Sequence, residues 1–138
     1  GAGLRLRHGP DGAWVTLAPL TPYAFSGDVP TDAELVDGPV RDLNVLVRRA
    51  YGRALVHVLQ PGPAGAEALL GPGPALVHVV GGPLRATVPP APGATLLRPG
   101  DSLCVLDTAG TCGLTLAGDG TGAALVIALE PRALRRAI

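Results

Sequence analysis

Ala75-Leu-Val-His-Val-Val-Gly-Gly-Pro-Leu-Arg-Ala-Thr-Val88 indicates the fold class of this chain most directly. It contains two apolar runs, residues 75–80 and 84–88, on either side of a Gly-Gly-Pro sequence. Each run is rich in valine and leucine and shorter than a typical helix, and glycine and proline mark the turn between them. The stretch therefore predicts two strands, Ala75–Val80 and Leu84–Val88, joined by a tight turn.

Runs of the same kind recur along all 138 residues, separated by turn signals. Glycine and proline supply about a quarter of the chain, but 47% of the residues are apolar, which argues against disorder. Many short strands are typical of an antiparallel sandwich or barrel. Helical character is confined to Glu67–Leu70 and the tail Pro131–Ile138. The other predicted strands are Leu4–Arg7, Ala13–Leu17, Ala33–Val36, Arg41–Arg48, Ala54–Leu59, Thr95–Leu97, Ser102–Leu106, Gly113–Leu116 and Ala123–Leu129.

An internal repeat without gaps relates the first part of the chain to the second, with Gly1 aligned to Gly81. The strand predicted at 33–36 falls on residues 113–116, and the strand predicted at 41–48 falls on residues 121–128. The repeated identities are Gly1 with Gly81, Leu4 with Leu84, Arg5 with Arg85, Leu17 with Leu97, Pro19 with Pro99, and Gly38 with Gly118.

The repeat predicts two structural units. A strong strand ends at Val80, directly before the first repeated residue of the second unit, so its counterpart falls before Gly1. We therefore expect residues 1–52 to be the C-terminal part of a first unit that is shortened at its N-terminus, and residues 53–138 to be the second unit. A sheet edge without that strand can pair with a second chain, so a homodimer is one open alternative.

Charge and hydropathy exclude several classes of partner. Eleven basic and eleven acidic residues cancel, and no basic stripe is present, so we expect no nucleic-acid partner. No apolar run approaches the roughly 18 residues of a spanning helix, so we expect no membrane partner. For Cys104 and Cys112 we expect two small buried thiols, with pairing across a hairpin as the alternative.

Three histidines raise the question of a metal site. His57 and His78 lie in copies of one strand sequence, Leu-Val-His-Val, whereas His8 falls in a predicted turn. No His-x-His motif is present, and a zinc or iron site needs at least three protein ligands at suitable spacing. We therefore expect no metal and no cofactor, and we expect each strand histidine to hydrogen-bond a backbone carbonyl.

Residues 19–49 carry the longest motif in the chain, and on it the sequence resembles the HutD/Ves family of the cupin superfamily. The family signature has the form P-F-x-F-x-G-D-x-P … L … G-P … D-F-N-V-M … R. This chain departs from it at Tyr23, Leu43 and Leu46. The matching positions are Pro22, Phe25, Gly27, Asp28, Pro30, Leu35, Gly38, Pro39, Asp42, Asn44, Val45 and Arg48.

The resemblance implies an all-β, cupin-like antiparallel double barrel (a bicupin) whose first barrel is incomplete at its N-terminus. It also implies a cytoplasmic bacterial factor in histidine utilisation that binds a small carboxylate, an intermediate of the pathway. No catalytic activity comes with the resemblance, and no acid–base pair stands out, so we assign no catalytic residue. The alternative is a metal-free cupin enzyme, an isomerase or lyase acting on a small polar acid.

A polar row lies on the strand predicted over residues 41–49. Alternation along a strand would place Asp42, Asn44 and Arg48 on one face. Arg48 can bind a carboxylate with two parallel hydrogen bonds, Asn44 offers a donor and an acceptor, and Asp42 can accept from an amine or orient Arg48. We expect a ligand-binding row, with a solvated row on the sheet surface as the alternative. The gapless repeat replaces the row with Gly122, Ala124 and Ala128.

Phe25 and Asp28 are further candidate ligand-binding residues within the motif. Gly27 permits a tight turn, and Asp28 can cap that turn by accepting hydrogen bonds from nearby backbone amides. A purely structural role of this turn stays open beside the binding role.

Overall fold

The computed structural model describes residues 1–106 and 110–132, and the chain forms eleven strands within these ranges. No helix there has the length and apolar character of a membrane span. The fold is all-β, as predicted. The strands are β1 (Leu4–His8), β2 (Trp14–Leu17), β3 (Thr31–Leu35), β4 (Gly52–Leu59), β5 (Ala66–Leu70), β6 (Ala75–Gly81), β7 (Leu84–Thr87), β8 (Thr95–Leu97), β9 (Ser102–Val105), β10 (Cys112–Gly118) and β11 (Ala123–Pro131).

The strands are divided between two compact units, Gly1–Asn44 and Val45–Ile138. The first unit contains a three-stranded sheet with the order β2-β1-β3. The second contains two four-stranded sheets with the orders β5-β10-β7-β8 and β4-β11-β6-β9. The pairings of these strands are antiparallel, as expected for this fold class.

Two of the predicted elements are wrong, and a third lies largely outside the described ranges. Residues 67–70 belong to β5 instead of a helix, because Leu70 is buried while Glu67 and Leu69 are exposed, the two-residue alternation of a strand. Residues 41–48 form no strand. Within the described residues, no strand pairing includes residues 41–48. The gapless repeat aligns them with residues 121–128, most of which lie in β11, and β11 pairs with both β4 and β6. The predicted helical tail, Pro131–Ile138, begins at Pro131, the last residue of β11, and its residues 133–138 lie outside the described ranges.

The strand register confirms the repeat but not its gapless alignment. Leu4 pairs with Leu17 as Leu84 pairs with Leu97, which preserves the spacing seen in the sequence. On its other side, Leu4 pairs with Leu35, whereas Leu84 pairs with Gly118, so the spacing of the third strand is longer by three positions. The second unit therefore carries three additional residues before β10. Ala33 corresponds to Leu116 instead of Gly113, and Gly38 does not correspond to Gly118.

The hydrophobic core of the second unit is built from both of its sheets. Leu114 and Leu116 of β10 are fully buried, whereas Thr115 between them is exposed. Val77 and Val79 of β6 supply fully buried side chains from the other sheet and belong to the same apolar cluster. Each such side chain contributes about 1.5–3 kcal/mol through its removal from water.

The two cysteines are free and belong to different sheets. Cys104 is exposed on the edge strand β9, and Cys112 is half-buried on β10. The expectation of two buried thiols is therefore wrong for Cys104, because its neighbours Leu103 and Val105 pack against the core and alternation points Cys104 to the other face.

Leu116→Ala is expected to lower the free energy of unfolding by about 2–5 kcal/mol, because it opens a cavity in the core. Leu69→Ala on β5 is the matched control: its side chain is 79% exposed, and the expected change is within about 0.5 kcal/mol. Urea unfolding followed by circular dichroism measures both. Equal losses in the two variants would contradict the assigned inward face of β10.

Asp119 organises the hairpin between β10 and β11. Its Oδ1 accepts a hydrogen bond from the Thr121 hydroxyl at 2.6 Å and another from the Thr121 backbone N–H at 2.9 Å. Both donors favour the ionised carboxylate and lower the pKa of Asp119 below its ordinary value, with the hydroxyl contributing most.

Thr121→Val is expected to raise the pKa of Asp119 towards its ordinary value, because it removes the hydroxyl donor. Since the pKa is lowered in the folded state, the carboxylate stabilises the fold above its ordinary pKa. That contribution is lost as pH falls through the lowered pKa. Carboxyl-carbon NMR measures the titration, with Thr115→Val on the exposed face of β10 as the control. An unshifted Asp119 titration in Thr121→Val would show that the hydroxyl is not the cause.

Candidate functional site

One face of the three-stranded sheet in the first unit carries paired charges. Arg7 donates from Nη2 and Nε to Asp32 Oδ2 at 2.6 and 3.1 Å. Arg5 Nη1 lies 3.6 Å from Glu34 Oε2. The guanidinium carbons of Arg5 and Arg7 lie 4.9 and 5.0 Å from the centre of the Trp14 ring. Cross-strand ion pairs and cation–π contacts of this kind stabilise the sheet itself.

His8 and Thr31 lie on the opposite face of the same strands. They are register partners, and His8 is the last residue of β1 instead of part of the predicted turn. The strand registers of the two units place them at the positions of Val88 and Leu114 in the second unit. Val88 packs against the core there, and Leu114 is fully buried. The first unit therefore has a hydrogen-bonding pair where the second unit has two apolar core residues.

Four side chains of the first unit form a connected group, here called the His8 cluster: His8, Tyr23, Phe25 and Thr31. The Nδ1 atom of His8 lies 3.0 Å from Thr31 Oγ1, and its Nε2 atom lies 3.1 Å from Tyr23 Oη. Thr31 donates its own hydroxyl proton to the carbonyl of Val29 at 3.0 Å. The centres of the Tyr23 and Phe25 rings lie 5.6 and 4.8 Å from the centre of the His8 ring.

Tyr23 and Phe25 come from the irregular segment between β2 and β3. The segment begins with a turn in which the Thr21 N–H donates to the carbonyl of Ala18 at 3.2 Å. Leu20 in this turn has a φ of 58°, a left-handed conformation that residues other than glycine rarely adopt. Because Tyr23 and Phe25 are 38% and 47% exposed, the cluster opens to solvent.

Of the residues predicted to bind ligand, Phe25 lies in the His8 cluster and Asp28 lies close by in sequence, in a turn. The Val29 N–H donates to the carbonyl of Ser26 at 3.3 Å, and the Asp28 N–H donates to the Ser26 hydroxyl at 3.4 Å. This turn connects the aromatic segment to β3. Asp28 therefore lies in the turn that leads into β3, the strand that contains Thr31.

The predicted polar row is brought together only in part. Asn44 Nδ2 donates to Asp42 Oδ2 at 2.7 Å, and both residues are exposed in the first unit. Arg48 belongs to the second unit, where its carbonyl accepts from the Tyr51 N–H at 2.8 Å. Because residues 41–48 form no strand, strand alternation does not place Arg48 beside Asp42 and Asn44.

His8, Tyr23 and Thr31 are the residues of the cluster that sequence reasoning missed. The gapless repeat already aligns His8 with Val88, a polar residue with an apolar one. That contrast is a usable signal. The equivalence of Thr31 and Leu114 is hidden by the three additional residues, and nothing in the sequence indicates that Tyr23 reaches His8.

The other two histidines do not share a site with each other. His57 pairs with Val126, whereas His78 pairs with Leu125, so their side chains point to opposite faces of one sheet. His78 Nδ1 lies 2.9 Å from Ser102 Oγ, which corrects the expected hydrogen bond to a backbone carbonyl. Within residues 1–106 and 110–132, no group of three histidine, cysteine or acidic side chains is arranged to hold a metal ion.

A family model named HutD matches residues 1–126. The chain belongs to the HutD family. This confirms the recognition made from residues 19–49 and, with the all-β sheets, the cupin-like fold. A comparison with curated proteins finds no match.

Solved structures similar to this HutD-family chain include two from Pseudomonas species. One is a conserved protein of unknown function, PA5104, from Pseudomonas aeruginosa PAO1, with a TM-score of 0.84 and 23% identity. The other is HutD from Pseudomonas fluorescens SBW25 in a formate condition, with a TM-score of 0.70 and 24% identity. The matches cover 96% and 94% of this chain, and 68% and 64% of those two chains. At this level of identity they show the fold.

Thr31→Val is expected to lower the free energy of unfolding by about 1 kcal/mol, because the hydrogen bond between His8 Nδ1 and Thr31 Oγ1 is lost. The double variant His8→Val, Thr31→Val makes the site as apolar as Val88 and Leu114, so most of this loss is expected to be recovered. Urea unfolding measures these two variants and the single variant His8→Val, with Thr16→Val on the exposed part of β2 as the control. A double variant that loses as much as the two single variants together would disprove the coupling.

Proposed function

We propose that this HutD-family chain binds a small carboxylate, an intermediate of histidine utilisation, and acts as a regulatory factor. The observation that carries the proposal is the hydrogen-bonded pair of His8 and Thr31, at positions where the second unit has the core residues Val88 and Leu114. A polar pair that is open to solvent contributes less to stability than two apolar side chains packed in or against a core. Such local departures are expected at functional sites.

The His8 cluster offers both kinds of contact that a small acid requires. The partly exposed rings of Tyr23 and Phe25 provide flat apolar surface. The Tyr23 hydroxyl and the His8 imidazole provide polar contacts at the edge of that surface. A few polar groups among apolar ones are the usual composition of small-molecule sites. The family resemblance suggests the carboxylate class.

Asp28, Asp42 and Asn44 complete the proposed ligand-binding set of the first unit, and Arg48 of the second unit is proposed separately. The hydrogen bond from Asn44 to Asp42 orients the Asn44 amide, whose oxygen can accept from a donor on the ligand. We propose Arg48 by itself as a carboxylate-binding residue, since its guanidinium can make two parallel hydrogen bonds. It belongs to the second unit and is tested as a variant of its own.

Titration with N-formylglutamate and with urocanate, followed by NMR, tests the proposal. We expect one saturable set of shifts centred on the His8 cluster. Phe25→Ala is expected to weaken binding about tenfold, because an aromatic surface worth roughly 1 kcal/mol or more is lost. Tyr51→Ala is the matched control, since that ring is 70% exposed and lies in the second unit.

The same titration has clear contrary outcomes. Shifts scattered over the surface, or equal weakening by Phe25→Ala and Tyr51→Ala, would locate binding outside the His8 cluster. Unchanged affinity in Arg48→Ala would exclude Arg48 as a ligand-binding residue and would leave the proposal for the His8 cluster intact.

A metal-free cupin enzyme, an isomerase or lyase of a small polar acid, is the second candidate function. The hydrogen bond between His8 Nε2 and Tyr23 Oη favours it, because an imidazole and a phenol can act as a general acid–base pair. Sequence reasoning did not find this pair.

Turnover separates the two candidates. Proton NMR of the same acids incubated with the chain follows any new product. An enzyme is expected to lose its activity in His8→Gln and in Asp42→Asn, while Tyr51→Phe leaves it unchanged. Binding without product formation supports the regulatory factor.

A further inference from the structure

The hydrogen bonds of the His8 cluster have a defined direction. With the Thr31 hydroxyl proton donated to the Val29 carbonyl, the Thr31 oxygen accepts from His8, and His8 Nδ1 carries the proton. In a neutral imidazole the other nitrogen is then an acceptor, and Nε2 accepts from the Tyr23 hydroxyl. Protons are therefore donated in order from Tyr23 to His8, from His8 to Thr31, and from Thr31 to the backbone.

This direction makes the neutral cluster a poor receptor for an anion. The Tyr23 hydroxyl directs its proton inward to His8, so the partly exposed Tyr23 oxygen presents lone pairs to solvent. A carboxylate is an acceptor only, and it finds no donor on this hydroxyl.

Protonation of His8 reverses the direction of its hydrogen bond with Tyr23 and leaves its hydrogen bond with Thr31 unchanged. Nδ1–H continues to donate to Thr31, whereas Nε2–H now donates to Tyr23, whose own proton becomes available to an acceptor outside. The imidazolium charge lies one hydrogen bond behind that hydroxyl. The rings of Phe25 and Tyr23, 4.8 and 5.6 Å from the His8 ring, provide aromatic surface beside the cation.

We infer that the His8 cluster binds its carboxylate together with one proton, which His8 takes up. The inference rests on the proposed function and adds to it that affinity follows the charge of His8. The neutral cluster, in contrast, suits a ligand that donates a hydrogen bond. Ligand selection and pH are thereby coupled through a single side chain.

Other ionisable groups lie on the elements around His8, and they differ from it in their contacts and positions. Tyr23 is in direct contact with His8. Arg7 and Asp32 precede and follow the pair along β1 and β3, but they point to the opposite face and bond each other. Asp28 lies in the turn before β3, and Asp11 lies in the loop after β1.

The free protein gives the first test. Long-range proton–nitrogen NMR distinguishes the two neutral imidazole tautomers, and at pH 8.5 we expect His8 in the Nδ1–H form. Thr31→Val is expected to shift His8 towards a mixture of tautomers, because the acceptor for Nδ1–H is lost. An Nε2–H tautomer in the parent chain would overturn the inference before any ligand is added.

Acetate is the probe for the second test, titrated by NMR between pH 5.5 and 8.5. We expect affinity to fall about tenfold for each pH unit on the alkaline side, the slope of one linked proton. His8→Gln, with its fold verified by melting, is expected to bind weakly with no pH slope. His57→Gln, which removes an exposed histidine of the second unit, and Asp11→Asn are the controls and should keep the slope of the parent chain.

The outcomes separate this inference from the proposed function. Binding at the cluster with no pH slope overturns proton uptake and leaves the proposed function intact. A slope that persists in His8→Gln overturns the assignment to His8. Absence of acetate binding, together with absence of binding by N-formylglutamate and urocanate at pH 5.5 and at pH 8.5, overturns both.

Discussion

The antiparallel register of β1 with β3, which places His8 opposite Thr31, is the constraint on which the chemistry of the first unit depends. A shift of one residue would exchange the two faces of β3. Thr31 would leave His8, and Asp32 would take its place beside the imidazole. The ion pair of Arg7 with Asp32 on the other face opposes that shift, because it needs the same register. The ion pair on the charged face therefore stabilises the register that keeps His8 opposite Thr31.

The two units share one strand arrangement but differ in the side chains at corresponding positions. In the second unit, the positions facing inward from β7 and β10 are apolar and buried, and they form a continuous core. In the first unit, Leu6 is buried, but Leu35 is 58% exposed and His8 and Thr31 are polar. The second unit therefore has apolar side chains at positions where the first unit has a polar pair. This difference between corresponding positions is the reason for placing the proposed site in the first unit.

Much of the fold could be predicted from short-range pattern, and much less of the site. Ten of the eleven predicted strands overlap strands of the structure, because alternation and glycine–proline turns are local signals. Residues 41–48 have strand-like alternation as well, but a strand also needs a partner, which no local pattern supplies. The motif identified Phe25 as a candidate ligand-binding residue. The contact of Tyr23 with His8 joins residues 15 positions apart through an irregular segment, and only the folded chain places them together.

The charged face also gives the molecule a built-in optical reporter. Trp14 is the single tryptophan of the chain, and it lies in the first unit beside two arginines. Its fluorescence therefore follows the first unit alone, whereas far-ultraviolet circular dichroism averages over the strands of both units. The two signals recorded from one sample report whether the repeat copies unfold in one transition or in two.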